Sequence, residues 1–379
     1  MTLQEITNNG LRRFVKNRAP KDSTSIDGLA WRRFKRNGLA MAGLVVIGLF
    51  VVIALLGYLI TPDHTPHCNQ QYLELASMKP MSTAEFVMVG QEGAEERCGF
   101  VKRMLFGEPL PYTAIPVFGH EEAGDSIRVE CFTGSVPNDG EIKTFAKSEV
   151  IGFETRRFVL GTDGYGRDLL SQVMIGSRVS LSVGFIAIII ALAIGITLGA
   201  LAAYHGGWVD NLIQWIINVV WSIPTVLLVI AITFALGKGF WQVFIAVGLT
   251  MWVDIARMVR GQVLAIKEKE FVEAARALGY RTPRIIFRHI LPNIMGAVIV
   301  VAASNFASAI LIEAGLSFLG IGVQPPMVSW GSMVKENYSY ILLDNAQIAL
   351  IPGLAIMMIV LAFMLFGNGI RDALDIKNQ

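Results

Sequence analysis

Charge is scarce in this sequence. Asp, Glu, Lys and Arg make up 16% of the 379 residues while 53% are hydrophobic, against about 25% charged in soluble domains. A soluble chain of this length needs a charged surface around its core, so an ordinary soluble enzyme is a poor fit and a disordered chain is excluded. Net charge is only +2, which gives no global basic surface for nucleic acid. Cysteine is also sparse: Cys68, Cys98 and Cys131 contain no CxxC pair, so zinc-ribbon and thioredoxin-type sites are excluded. GxxxxGK[ST] is absent, so the chain has no P-loop with which to use ATP, and HExxH is absent as well. Internal repeats and low-complexity tracts are lacking.

Long apolar runs are what the sequence does have. A helix needs roughly 20 apolar residues to cross the hydrocarbon core. Runs at 39–60, 179–204, 212–236, 240–256, 294–322 and 348–366 supply six such spans. None contains His or Cys, which speaks against intramembrane proteolysis. The first run is too long for the core of a signal peptide and lacks a small-residue cleavage site, so it reads as an uncleaved anchor. Lys and Arg number nine in residues 1–38 and eight in 257–293, but one in 323–346. By the positive-inside rule both termini and the 257–293 segment are cytoplasmic.

The segment 61–178 between the first two spans is polar and falls on the outer side. Over 61–178 there are 17 acidic and 11 basic residues, and alternation such as Ser126-Ile127-Arg128-Val129-Glu130 predicts short strands in a small α+β unit. In an oxidising compartment it would hold at most one disulfide. His64-Thr65-Pro66-His67-Cys68 looks like a set of metal ligands but reads better as a solvated loop, and no metal site is expected.

The cytoplasmic segment is the most distinctive. Phe271, Ala274, Ala275 and Leu278 recur at helical spacing and predict one apolar face. Gly279 supplies a left-handed helix end. Thr282-Pro283 starts a second short helix that should stop at Pro292. Pattern alone leaves two readings open, a helix resting on lipid or a small-residue face for protein docking.

Glu273-Ala274-Ala275, Gly279 and His289-Ile290-Leu291-Pro292 resemble the EAA loop of ABC importer permeases. Trp31-Arg32-Arg33-Phe34 with Asn37-Gly38, Gly161-Thr162-Asp163 with Gly166-Arg167-Asp168, Ser222-Ile223-Pro224, Leu316-Ser317-Phe318-Leu319-Gly320 and Arg371-Asp372-Ala373-Leu374-Asp375 are similar to motifs of the C-type subunit of dipeptide, oligopeptide and nickel permeases. The resemblance covers roughly 30–60 and 158–376. It implies an all-α polytopic protein of type I importer fold in the inner membrane. Residues 1–38 would be a basic cytoplasmic segment, 39–60 the first span, 61–157 the insert and 158–379 the core permease with the EAA loop at 257–293. The implied partners are a homologous second permease, two ATPase subunits, an external binding protein and the bilayer. The chain itself would hold no cofactor, catalyse nothing and bind no nucleic acid; ATP and Mg would belong to the ATPase subunits. Glu273, Ala274, Ala275, Gly279, His289 and Pro292 would couple to the ATPase.

Two carboxylates fall within the spans, Asp254 and Glu313, at a cost of about 2.5–3.5 kcal/mol each mid-bilayer. Asp254 is expected to pair locally with Arg257. For Glu313, a place in the solute path and a structural role at a helix break both remain open, and Asn305 and Pro224 join it as path candidates. Gly195 and Gly199 form a GxxxG helix-packing pair. A secondary transporter, which should show paired repeats, and an intramembrane enzyme are the rival readings.

Overall fold

The computed structural model describes residues 26–90, 99–133, 137, 140–237, 239–343 and 345–374. A short helix α1 (Ile26–Arg36) leads into α2 (Gly38–Leu56), capped by the Asn37 side chain, which accepts from the Ala40 amide at 3.2 Å. The helix α2 is uncharged and largely unburied by its own chain, as a lipid-facing helix should be.

The insert follows as β1 (Ser82–Gly90), α3 (Phe100–Phe106), β2 (Tyr112–Ala123), β3 (Ser126–Cys131), β4 (Ile142–Ala146) and β5 (Val150–Phe158). The strands make one antiparallel sheet in the order β4-β3-β2-β1-β5. Alternation along β1 sends Ala84 and Phe86 to one face and Val87 and Val89 to the other, and both faces carry a small core. The first of these cores includes Tyr72 and Leu75 from the segment that precedes the sheet. That segment is in turn tied to the membrane helices. Thr162 donates its hydroxyl to the Leu75 carbonyl, Gln172 Nε2 donates to the Cys68 carbonyl at 2.9 Å, and the Asp63 amide donates to Ser171 Oγ at 2.9 Å. Residues 61–81 are therefore stitched to the bundle, and the sheet rests on them. Cys68 is buried and Cys131 half-buried, both as free thiols; Cys98 lies outside the described residues.

The bundle comprises α4 (Leu169–His205), α5 (Gly207–Trp221), α6 (Thr225–Leu236), α7 (Phe240–Ile266), α8 (Glu270–Ala277), α9 (Thr282–Ile285), α10 (Leu291–Phe318), α11 (Trp330–Asn337) and α12 (Gln347–Leu374). Asp168 caps α4, accepting from the Ser171 amide at 2.8 Å, so the helix starts ten residues before its apolar run. At 37 residues it is about 55 Å long and outreaches a hydrocarbon core of about 30 Å. Gly195 and Gly199 let α4 meet α7. A Cβ at Gly195 would stand 2.7 Å from Ile255 Cβ, and one at Gly199 would stand 2.5 Å from the Ala256 carbonyl.

The run at 212–236 is not one straight span. The helices α5 and α6 meet at 93° across Ser222–Pro224. Pro224 lacks an N–H and disfavours helix at Ile223, while Ser222 Oγ bonds back to the Val219 carbonyl at 2.8 Å. Among the described residues five helices are thus long and apolar enough to cross a membrane, and the bent pair makes up to six. The second helix of the 257–293 segment also differs from expectation. It does not stop at Pro292 but passes through a π-turn (Ile286–Ile290), where the Leu291 amide bonds to the Ile286 carbonyl, and continues as α10. Pro292 sits in the first turn of α10, where its missing N–H is tolerated, and the nearby His289 carbonyl is satisfied by Asn293 Nδ2 at 2.6 Å.

Candidate functional site

The loop between α7 and α10 is mounted rigidly on the end of the bundle. Arg260 on α7 holds Asp210 on α5 through two hydrogen bonds of 2.7 Å. Lys267 Nζ donates to the Ala203 carbonyl in the last turn of α4 at 2.9 Å, where a cation suits the helix dipole. Arg276 lies over the Tyr204 ring at 5.2 Å. Glu270 and Glu273 occupy the first turn of α8, the favourable end for carboxylates.

Helix α8 closes on Gly279, whose φ is +76°. The Tyr280 amide reaches back to the Ala275 carbonyl at 3.1 Å, which is the hydrogen bond of a Schellman end. No atom stands within 4 Å of where a Gly279 Cβ would be, so the requirement for glycine is conformational and not steric. Tyr280 then stacks on His289 with ring centres 5.8 Å apart, and Arg284 covers the Tyr280 ring at 4.1 Å. This stack joins the two halves of the loop, and His289 Nε2 is buried there without a hydrogen-bond partner.

The structure divides the small-residue face. Ala275 points inward with Val272, and both join Val263, Ile285 and Ile286 in the protein's own core. Ala274 points outward, flanked by Phe271 and Leu278, with Phe287 exposed beyond them on the π-turn. Glu273 and Pro292 are also exposed. The outward set is therefore Phe271, Ala274, Leu278 and Phe287; Ala275 belongs to the opposite side. The burial of Val272, one position from the expected stripe, is the signal that separates the two alanines.

The three candidate path residues are placed apart. Pro224 is exposed at the α5–α6 break. Asn305 is 7% exposed on α10 with its Nδ2 buried and unpartnered. Glu313, two turns further along, is wholly buried and accepts from Ser317 Oγ at 2.7 Å and Ser180 Oγ at 3.4 Å. Ser329 Oγ donates to Ser317 Oγ, and the Trp330 amide donates to Ser180 Oγ, both at 3.4 Å. Glu313 thus ties α4, α10 and the start of α11 through hydroxyls, and it does not bind backbone at a helix break. Asp254 is exposed and does not pair with Arg257, which lies over Trp221 at 3.8 Å and reaches Asn218 at 3.4 Å.

An ion cluster on the insert side was not legible in the sequence. Arg167 Nε donates to Asp163 at 2.7 Å, its Nη2 to Glu336 at 2.6 Å, and its Nη1 to Asn69 at 3.2 Å. It binds the insert's first loop, the start of α4 and α11 together. Glu336 lies 169 residues from Arg167, so no local pattern announces the contact. His64 Nδ1 meets the Tyr58 carbonyl at 2.7 Å and the Cys68 thiol donates to the Asp63 carbonyl; burial pushes that thiol's pKa far up. Among the described residues no group of three His, Cys, Asp or Glu is placed to hold a metal.

Comparison with known proteins shows the family. Residues 195–377 match the model of the binding-protein-dependent transport system inner membrane component, and 28–80 match the N-terminal transmembrane domain of oligopeptide transport permease C. The dipeptide transport system permease protein of Alkalihalophilus pseudofirmus is 43% identical over 217 residues, covering 57% of this chain and 71% of that protein. The glutathione transport system permease protein of Pectobacterium atrosepticum is 41% identical over 218 residues, 58% of this chain and 72% of that one. The dipeptide permease of Lactococcus lactis is 30% identical over 351 residues, 91% of this chain and 89% of that one. An alignment of that extent must run into the insert, so 61–157 has a counterpart in at least one relative. A chain of the MetNI methionine ABC transporter in an inward-facing conformation superposes over 54% of this chain and 96% of its own, with TM-score 0.45 and 21% identity. This multi-pass membrane chain belongs to the family of inner membrane components of binding-protein-dependent transport systems, the non-catalytic permease subunits of ABC importers.

Proposed function

We propose that this chain is the C-type permease subunit of an importer for short peptides or closely related solutes, and that Phe271, Ala274, Leu278 and Phe287 form the seat of its ATPase. The outward apolar face of α8 carries the reading. Large exposed apolar side chains on a polar end of the bundle mark a protein interface, and the basic count of 257–293 puts that end in the cytoplasm. Both termini then lie in the cytoplasm, and the sheet lies outside the inner membrane. Stacking of Tyr280 on His289, with the Lys267 and Arg260 contacts, would carry an ATPase movement into α4, α5 and α10 as a rigid displacement. A homologous permease supplies the other half of the pathway, two ATPase subunits bind and hydrolyse ATP with Mg, and an external binding protein delivers the solute. The solute class rests on the relatives, whose names specify dipeptides, oligopeptides and glutathione.

The test is reconstitution of the chain with its permease, ATPase and binding-protein partners in vesicles. Uptake of a labelled dipeptide should require both ATP and the binding protein and should be indifferent to collapse of ion gradients. Gradient-driven uptake without the ATPase would return the secondary-transporter reading.

A further inference from the structure

Helix α3, Phe100–Phe106, is no part of the sheet; beside the bond from the Glu108 amide to the His64 carbonyl at 2.9 Å, one side chain ties its last turn to the bundle. Arg178 on α4 donates to the Met104 and Leu105 carbonyls of α3 at 2.7 and 2.8 Å. The same guanidinium donates to the Ala54 and Leu55 carbonyls at the end of α2, at 2.6 and 3.2 Å. The last turn of α3 is therefore pinned at the level where the first membrane span ends. Tyr58 lies against Arg178, with the guanidinium 5.2 Å from its ring centre, at the depth where amphipathic rings gather.

At that level α3 exposes an unusual amount of apolar surface. Phe100, Val101, Leu105 and Phe106 are 69, 61, 46 and 66% exposed. The end of α3 meets the end of α2, on which Leu49, Val52 and Leu55 are exposed as lipid-facing residues, and Leu105 and Phe106 border an open cleft with Val179, Ser182 and Phe240 of the membrane helices α4 and α7. Lys102 lies on the same exposed side, and its long stem lets the ammonium reach upward while the apolar neighbours stay low. Arg103 turns inward to Glu108 at 3.5 Å.

We propose that α3 is a membrane foot of the insert. Its phenylalanines and Leu105 sit in the boundary between headgroups and acyl chains of the leaflet on the insert's side, and Lys102 meets lipid phosphate. Interfacial helices of this kind sink about 5–10 Å below the headgroups. Continuity with the lipid-facing surface of α2 and the positive charge amid the apolar residues both favour phospholipid as the occupant over another protein. The foot fixes the height of the sheet above the bilayer, and so the distance at which an external partner meets the bundle.

The experiment places the photoreactive p-benzoylphenylalanine at position 106 of the full chain in cell membranes of phosphatidylethanolamine and phosphatidylglycerol. Leu49 serves as the lipid-facing reference and Ile142, 68% exposed on β4, as the water-facing one. After irradiation the intact mass of the chain modified at 106 should rise by one phospholipid, as at 49, with no such shift at 142. A position 106 that behaves like 142, or that links to a protein in place of lipid, would overturn the proposal. An aromatic replacing an exposed aromatic leaves the fold undisturbed, and matched membrane levels of the three variants verify this.

Discussion

Ala274 and Ala275 are neighbours on one helix and face opposite ways: Ala275 is 3% exposed against Val272 and Ile285, while Ala274 is open to the surroundings. Equal substitutions at the two should therefore fail for different reasons. Ala275→Leu overpacks a closed core and should destabilise by about 1–3 kcal/mol, lowering the melting temperature of the purified chain. Ala274→Leu should leave melting unchanged. Equal losses at both positions would contradict this division of the helix.

At Gly279 the expected penalty comes from the backbone alone, because φ is +76° and the space around it is empty. Gly279→Ala should cost about 1–2 kcal/mol and weaken ATPase recovery accordingly. Gly279→Asn should retain more, since Asn tolerates the left-handed region. Titrated pull-down of the ATPase at matched membrane levels checks the order Gly, Asn, Ala; a variant with Ala that binds as tightly as Gly would show that the helix end is not the constraint.

Arg167 serves Asp163, Glu336 and Asn69 at once, and the side chains of Arg167 and Asp163 are 8 and 1% exposed. Arg167→Met leaves a buried carboxylate without its partner, which costs about 3–5 kcal/mol. Adding Asp163→Asn to that variant should recover part of the loss. Denaturation in detergent reads both, and an additive double variant would sink the pairing.

Asp168 gives a pH dependence with a definite sign. Burial raises its carboxyl pKa above the ordinary 3.8, Asp63 and Asp163 add to the rise, and the bonds from Ser171 oppose it. The folded state thus holds this proton more tightly than the unfolded chain. Its contribution is fully present below 3.8 and is lost as pH climbs through the folded-state value. Asp168→Asn keeps an oxygen to cap Ser171 and removes the titration. Melting temperature against pH should fall less steeply for Asp168→Asn than for wild type as pH rises from 3.8 through the folded-state value; identical slopes would refute the assignment.

What the sequence disclosed follows from how local each signal is. The apolar runs, the alternation in β3, the GxxxG contact of α4 with α7 and the helix end at Gly279 depend on residues within a turn or two of one another, and all appear in the structure. Pro224 marks the break after Ser222-Ile223 locally, but the 93° angle there depends on how α5 and α6 pack and not on proline alone. Pro292 misled because a π-turn, which has no sequence signature of its own, carries the helix past it. Glu313 and Arg167 were opaque for another reason. Their partners Ser180 and Glu336 stand 133 and 169 residues away, and only the folded bundle brings them together.

The central claim is that the outward face of α8 seats the ATPase, and Ala274→Trp tests it most directly. The substitution alters no span and fills no core, so the chain should reach the membrane at its normal level. A large ring at the centre of the contact should then abolish both ATPase pull-down and peptide uptake. Normal recovery of the ATPase together with normal uptake in Ala274→Trp would contradict the account, and stronger membrane contact with unimpaired transport would mean that this face rests on lipid.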